Sequence, residues 1–125
     1  DVCSSDLGRI LLTGTLAAED MRAQAVGMAW KTDGVKNVIN EIQIGSTSLR
    51  NLATDSWITA QLQKFITFDR KILAVNYSIE TVNEIIYLIG IAQNQTELDR
   101  VMAHAKGINY VKRIISHVRV KKGGY

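Results

Sequence analysis

The sequence predicts an α+β protein in which one supersecondary unit is used twice. Three observations carry this. A short apolar strand with a glycine near its end occurs as GRILLTGTL (8–16) and again as EIIYLIGIA (84–92). Each copy is followed by a polar break, a helical stretch, a small-residue turn (DGV at 33–35, KGI at 106–108) and a second strand (35–44 and 108–120). Before the second copy, YSIETVNEIIYLIG holds two β-rich runs separated by Asn83-Glu84, a pair suited to a tight antiparallel hairpin. A repeated order of this kind sets the fold reading before any single element does.

Taken along the chain, the first seven residues, DVCSSDL, stand apart. They hold the only cysteine, Cys3. A lipoprotein cysteine should stand first in the mature chain, and a reactive thiol needs a basic or helix-N-terminal setting. The seven residues are compatible with translation of sequencing-adapter DNA, so residues 1–7 are set outside the fold as non-native. The first unit then runs from 8 to 45. Its helix carries Met21, Ala25, Met28 and Ala29 as an apolar stripe, the methionines reading as core filler. The distance from Gly14 to Gly34 exceeds that from Gly90 to Gly107, which implies a longer helix or turn in this copy. Residues 46–54 read as a linker.

The second unit spans 55–122, with 123–125 as a tail. Its first helix (54–69) takes Asp55 or Ser56 as N-cap. Tyr77 to Val82 and Ile85 to Ile91 form the hairpin. The next helix shows Leu98, Val101, Met102 and Ala105 at i, i+3, i+4, i+7, with Asn94 and Glu97 spaced for N-terminal capping. The first unit lacks the helix and strand that open the second, and reads as an incomplete copy.

Composition excludes several classes. Apolar residues make up 46% and charged residues 22% of 125. There is no apolar run of the ~18 residues that a spanning helix needs, and no signal peptide is visible. Net charge is +3, unevenly placed: 106–122 holds Lys106, Lys112, Arg113, Arg119, Lys121 and Lys122 and no acid, which favours an anionic partner or a solvated strand end. No P-loop, dinucleotide fingerprint or nucleophile elbow occurs. His104 and His117 lie without ligands at metal spacing. No enzyme, cofactor, metal or nucleic-acid partner is expected. Gly14 and Gly90 read as positions of close backbone approach.

The first helix of the second unit carries the candidate site. At 100° per residue, Ile58, Leu62, Phe65 and Ile66 cluster as the core stripe. Trp57, Gln61, Lys64 and Phe68 fall together on another face, and Arg70 and Lys71 follow. A tryptophan and a phenylalanine beside a lysine suit a membrane interface, where an indole sits at headgroup level and a lysine reaches phosphate. Packing of Trp57 and Phe68 against the first unit, or as a cap on the edge of the core, is the competing reading.

These residues resemble the BON domain family (bacterial OsmY and nodulation). The marks are L-x-G at Leu12-Thr13-Gly14 and Leu88-Ile89-Gly90, and G-V/I-x-x-V at Gly34-Val35-Lys36-Asn37-Val38 and Gly107-Ile108-Asn109-Tyr110-Val111. Ser56-Trp57-Ile58-Thr59 resembles the dual-BON outer-membrane lipoproteins. The turn before Ile85 departs from the pattern, with Glu84 where a glycine is common. The resemblance implies tandem BON domains, each an αββαβ sandwich of two helices on a three-stranded mixed sheet. It implies a periplasmic, outer-membrane-associated protein supporting envelope integrity under stress. Its partner would be an anionic phospholipid membrane surface, met by Trp57, Lys64, Phe68, Arg70 and Lys71. The alternative is a module that binds other envelope proteins through exposed sheet edges or helix faces, with Lys112, Arg113, Arg119, Lys121 and Lys122 meeting an acidic partner.

Overall fold

The computed structural model describes residues 2–6, 8–45 and 49–121, which divide into two compact units, Asp1–Ser48 and Leu49–Tyr125. In unit 1, β1 (Val2–Asp6) and β2 (Arg9–Thr13) form an antiparallel hairpin, with Val2 opposite Thr13 and Asp6 opposite Arg9. After the short β3 (Thr15–Leu16) comes α1 (Glu19–Trp30), then β4 (Asn37–Asn40) and β5 (Gln43–Ile44), parallel to β2 and β3 respectively. The segment that the sequence reading set outside the fold therefore supplies a strand. It satisfies the outer hydrogen-bonding edge of β2, whose residues are buried throughout.

The core of unit 1 gathers Ile10, Leu12, Ala29 and Ile42, with Ala25, Val26 and Val38 packed on them. The inward face of α1 thus runs through Ala25, Val26 and Ala29. Met21 and Met28 do not fill the core as expected: they are 47% and 71% exposed. The small residues let the helix lie close to the sheet, and the methionines fall off that face.

Unit 2 is built from α2 (Leu49–Phe68), a 3-10 turn (Ala74–Asn76), β6 (Tyr77–Val82), β7 (Ile85–Ala92), α3 (Gln95–Lys106) and β8 (Arg113–Val120). The sheet order is β6-β7-β8, antiparallel then parallel. This is the predicted mixed sheet with two helices. Ile58, Leu62 and Ile66 of α2 and Val101 and Ala105 of α3 meet Ile79, Ile86, Leu88 and Ala92 of the strands in one core. Each fully buried aliphatic side chain contributes about 2 kcal/mol through burial. The hairpin turns at Asn83 and Glu84, both in the left-handed region (φ 51 and 67), the backbone that a two-residue turn of primed type requires.

Two expectations need correction here. The helix starts at Leu49, inside the expected linker, because LRNLATDS holds no glycine or proline to stop it. Asp55 is consequently not an N-cap. It is buried mid-helix, and its carboxylate accepts from the backbone N–H of Asn83 (2.8 Å) and Glu84 (2.7 Å), pinning the hairpin turn to α2.

The repeat is stricter in three dimensions than in the sequence. Elements of unit 1 recur 76 residues on: β2 begins at Arg9 and β7 at Ile85, α1 spans Glu19–Trp30 and α3 spans Gln95–Lys106, β4 begins at Asn37 and β8 at Arg113. Parallel partners are 28 residues apart in both units (Ile10 with Val38, Ile86 with Ile114). The first copy's helix is thus no longer than the second's. The counterpart of Gly34 is Tyr110, with φ 81 and 75, and not Gly107. Gly90 answers to Gly14, and its role as a close-approach position is borne out: a Cβ there would stand 2.1 Å from the Asn76 carbonyl oxygen.

Candidate functional site

The 20 residues of α2 have a sharply divided surface. Ile58, Leu62 and Ile66 are wholly buried. Trp57, Lys64 and Phe68 lie within an arc of about 40° around the helix, on the opposite side, and all are exposed. Trp57 is 41% and Phe68 77% accessible, and they stand about 16 Å apart along the axis. Of the expected core stripe, Phe65 is an exception at 38% exposed. Its ring stacks on His104 of α3, with centroids 5.8 Å apart and planes at 16°.

The C-terminal end of α2 is held by Asp69. Its Oδ2 accepts from Arg100 Nη2 (2.7 Å) and Nε (3.1 Å) and lies 2.8 Å from His104 Nε2, while Oδ1 accepts from the Lys71 amide (2.9 Å). The bond with His104, then those from the Lys71 amide and Arg100, hold the Asp69 carboxyl well below the usual carboxylate range. This cluster borders a groove of about 450 Å³ lined by Lys64, Phe65, Phe68, Arg70, Lys71, the Arg100–His104 pair and Asp69 itself, so that cations outnumber its one carboxylate. Four of the five expected site residues, Lys64, Phe68, Arg70 and Lys71, are therefore brought together. The fifth, Trp57, lines a separate groove of about 700 Å³ toward the other end of the helix, with Glu84 and Tyr110. Trp57 and Tyr110 meet edge to face, centroids 5.9 Å apart and planes at 73°.

A further buried carboxylate stands in the first turn of α3. Glu97 accepts from Tyr77 Oη (2.6 Å), the Gln93 amide (3.1 Å), the Leu73 amide (3.2 Å) and the Gln93 side chain. Burial alone would push the Glu97 carboxyl up, but the bonds from Tyr77, Gln93 and Leu73 outweigh it and hold it below its ordinary value. Burial, and then the Glu97 contact, raise the Tyr77 phenol well above its usual range. Glu97 thus ties β6, the segment leaving α2 and the start of α3 together. Asn94 caps α3 as expected, accepting from the Glu97 amide at 2.8 Å.

Sequence reasoning missed Asp69, Arg100, His104, Glu84 and Tyr110 as parts of the surface. Arg100 and His104, four apart, signal one face of α3, but nothing in the spacing shows that Asp69 meets them. No helix among the described residues is long and apolar enough to cross a membrane.

The repeated hairpin–helix–strand unit, preceded in the second copy by a helix, defines a class. The family model for the BON domain matches residues 1–46 and 54–122, and the chain belongs to the BON-domain family. Among particular relatives, it is 44% identical over 116 residues to an uncharacterized protein in the gshII 5' region of Anaplasma centrale, covering 91% of this chain and 77% of that one. It is 28% identical over 109 residues to the outer membrane lipoprotein DolP of Haemophilus influenzae, covering 86% of this chain and 56% of that protein. It is 22% identical over 115 residues to the osmotically-inducible protein Y of Escherichia coli, covering 90% and 57%. The chain thus spans little more than half the length of the last two.

Proposed function

We propose that this chain is a bacterial envelope protein that rests on anionic phospholipid through the outer face of α2. The observation that carries this is the exposed line of Trp57, Lys64 and Phe68 running into a groove edged by Arg70 and Lys71. An indole and a phenyl ring insert at the headgroup boundary, and the flanking cations meet phosphate, each adding about 1 kcal/mol near an anionic surface. The relatedness to a protein named as an outer membrane lipoprotein supports placement at the periplasmic face of the outer membrane, and that to an osmotically-inducible protein supports a role under envelope stress. The residues supply attachment and no reaction.

Flotation with phosphatidylglycerol vesicles tests the reading. Wild-type chain floats and is released by added salt. Lys64→Glu with Lys71→Glu abolishes flotation while circular dichroism is unchanged. Salt-independent flotation, or a folded double variant that floats normally, rules it out. A second reading rests on β8, which stands at the edge of its sheet with Lys112, Arg113, Arg119 and Lys121 exposed. That edge suits strand addition by an acidic envelope protein, and retention from an envelope extract by the non-floating variant would favour it.

A further inference from the structure

The groove at the Trp57 end of α2 differs in sign from the groove at the Phe68 end. Among the described residues, its lining is Asn51, Ala53, Thr54, Trp57, Tyr110 and Glu84, which holds its single charge, a negative one. The Glu84 carboxylate already meets an ammonium: Lys112 Nζ stands 3.3 Å from its Oε1, with the lysine side chain 67% exposed. Trp57 and Tyr110, in edge contact, leave aromatic surface open toward the groove, Tyr110 being 66% accessible.

Backbone strain marks the same two residues. Glu84 and Tyr110 both have left-handed φ (67 and 75), and unit 1 places a glycine at each equivalent position, Gly8 (φ 82) and Gly34 (φ 81). A side chain there costs on the order of 1 kcal/mol that glycine avoids. Glu84 gains the bond of its amide to Asp55, but that bond needs only the backbone, which a glycine would also supply. The strain therefore goes into side chains, and both side chains line one groove beside Trp57. Strain kept at a site where the fold tolerates an unstrained residue points to use of the side chains.

We infer that this groove binds an alkylammonium group, such as the headgroup amine of a zwitterionic phospholipid. The Trp57 and Tyr110 rings present their negative faces to the cation, and Glu84 supplies the counter-charge, with Lys112 as the resident competitor. The lipid source of the amine rests on the membrane reading above; the chemistry does not. The two grooves of α2 then divide the headgroup layer between them, phosphate at the Phe68 end and ammonium at the Trp57 end.

The experiment titrates the full chain in solution with choline, and in parallel with choline's uncharged carbon isostere, following the Trp57 indole and Tyr110 ring signals by NMR. Choline is expected to give saturable shifts and the isostere none. Glu84→Gln should weaken choline about fivefold, and Lys112→Met should tighten it by removing the competitor. Tyr110→Gly, which restores the residue type of Gly34, should abolish the response with the fold intact. Equal response to the isostere, or undiminished affinity in Glu84→Gln, overturns the proposal. A vesicle arm separates the sources: Glu84→Gln should weaken binding to mixed phosphatidylethanolamine–phosphatidylglycerol vesicles and leave binding to pure phosphatidylglycerol unchanged. Choline binding without that difference overturns the headgroup assignment. A failed phosphatidylglycerol test of the basic groove would leave the choline titration standing, so the two readings fail separately.

Discussion

α1 and α3 occupy the same place in the repeat and have the same length, yet they are embedded differently. At the N-cap, Ala18 of unit 1 offers no side-chain bond, whereas Asn94 of unit 2 accepts from the Glu97 amide. Three residues on, unit 1 has Met21, 47% exposed, where unit 2 has Glu97, 2% exposed. Further along, Met28, 71% exposed, answers to His104, which meets Asp69 and stacks on Phe65. One backbone design therefore supports two levels of polar organisation. The difference teaches that the second unit's surface is positioned by buried carboxylates, Asp55, Asp69 and Glu97, that have no equivalents at α1.

The comparison can be broken most severely at the position both units share. Gly90→Ala places a methyl against the Asn76 carbonyl and the Tyr77 backbone at a left-handed φ of 152. Neither neighbour is a flexible side chain, so unit 2 should lose about 3 kcal/mol or more, read by chemical denaturation. Full stability would show that β6 and β7 need not approach as closely as the structure has them.

Next in size is Glu97→Met, which gives unit 2 the residue of unit 1. It strips the Tyr77 hydroxyl and the Leu73 and Gln93 amides of their acceptor, and should cost about 2–3 kcal/mol. The same groups set an acid limit. The folded-state values of Glu97 and Asp69 are depressed, so their stabilisation is complete above the ordinary carboxylate range and is lost as pH falls through the folded values. Wild type should lose stability as pH drops below about 4.5, and Glu97→Met should show a shallower loss. Parallel pH profiles would remove Glu97 from that role.

The smallest effects come from the caps. Asn94→Ala should cost about 1 kcal/mol, and Ala18→Ser should add about 0.5 kcal/mol to unit 1, since Ala18 already has the extended backbone (φ −140, ψ 151) of an N-cap. A gain from Ala18→Ser as large as the Asn94 loss would mean that the cap, not the carboxylates, separates the two units.

These contrasts also mark what the sequence made legible. Apolar periodicity gave the strands, the hairpin turn at Asn83-Glu84 and the α3 stripe, because each depends on neighbours in the chain. It misplaced Met21 and Met28, since their period matches a core face while small Ala25 and Ala29 set the actual approach. It aligned Gly34 with Gly107 because residue identity was matched where backbone conformation was the conserved quantity between copies, so Tyr110 was passed over. It read Asp55 as a cap because a buried mid-helix carboxylate has the same local signature, and its partners lie 28 and 29 residues away. The exposed line of Trp57, Lys64 and Phe68 was legible because it needs only helical geometry. The anchoring of that line by Asp69, Arg100 and His104 was not, because it is a contact between helices.

The chain's two tryptophans fall one in each unit, Trp30 on α1 and Trp57 on α2, at 50% and 41% exposure, and they give the most direct test of where lipid is met. Emission from Trp30→Phe, which reports Trp57, and from Trp57→Phe, which reports Trp30, is followed as phosphatidylglycerol vesicles are added. The α2 surface predicts a blue shift and protection from aqueous quencher for Trp57 alone. A shift at Trp30 with none at Trp57, or no shift at either while the chain floats with the vesicles, would contradict it.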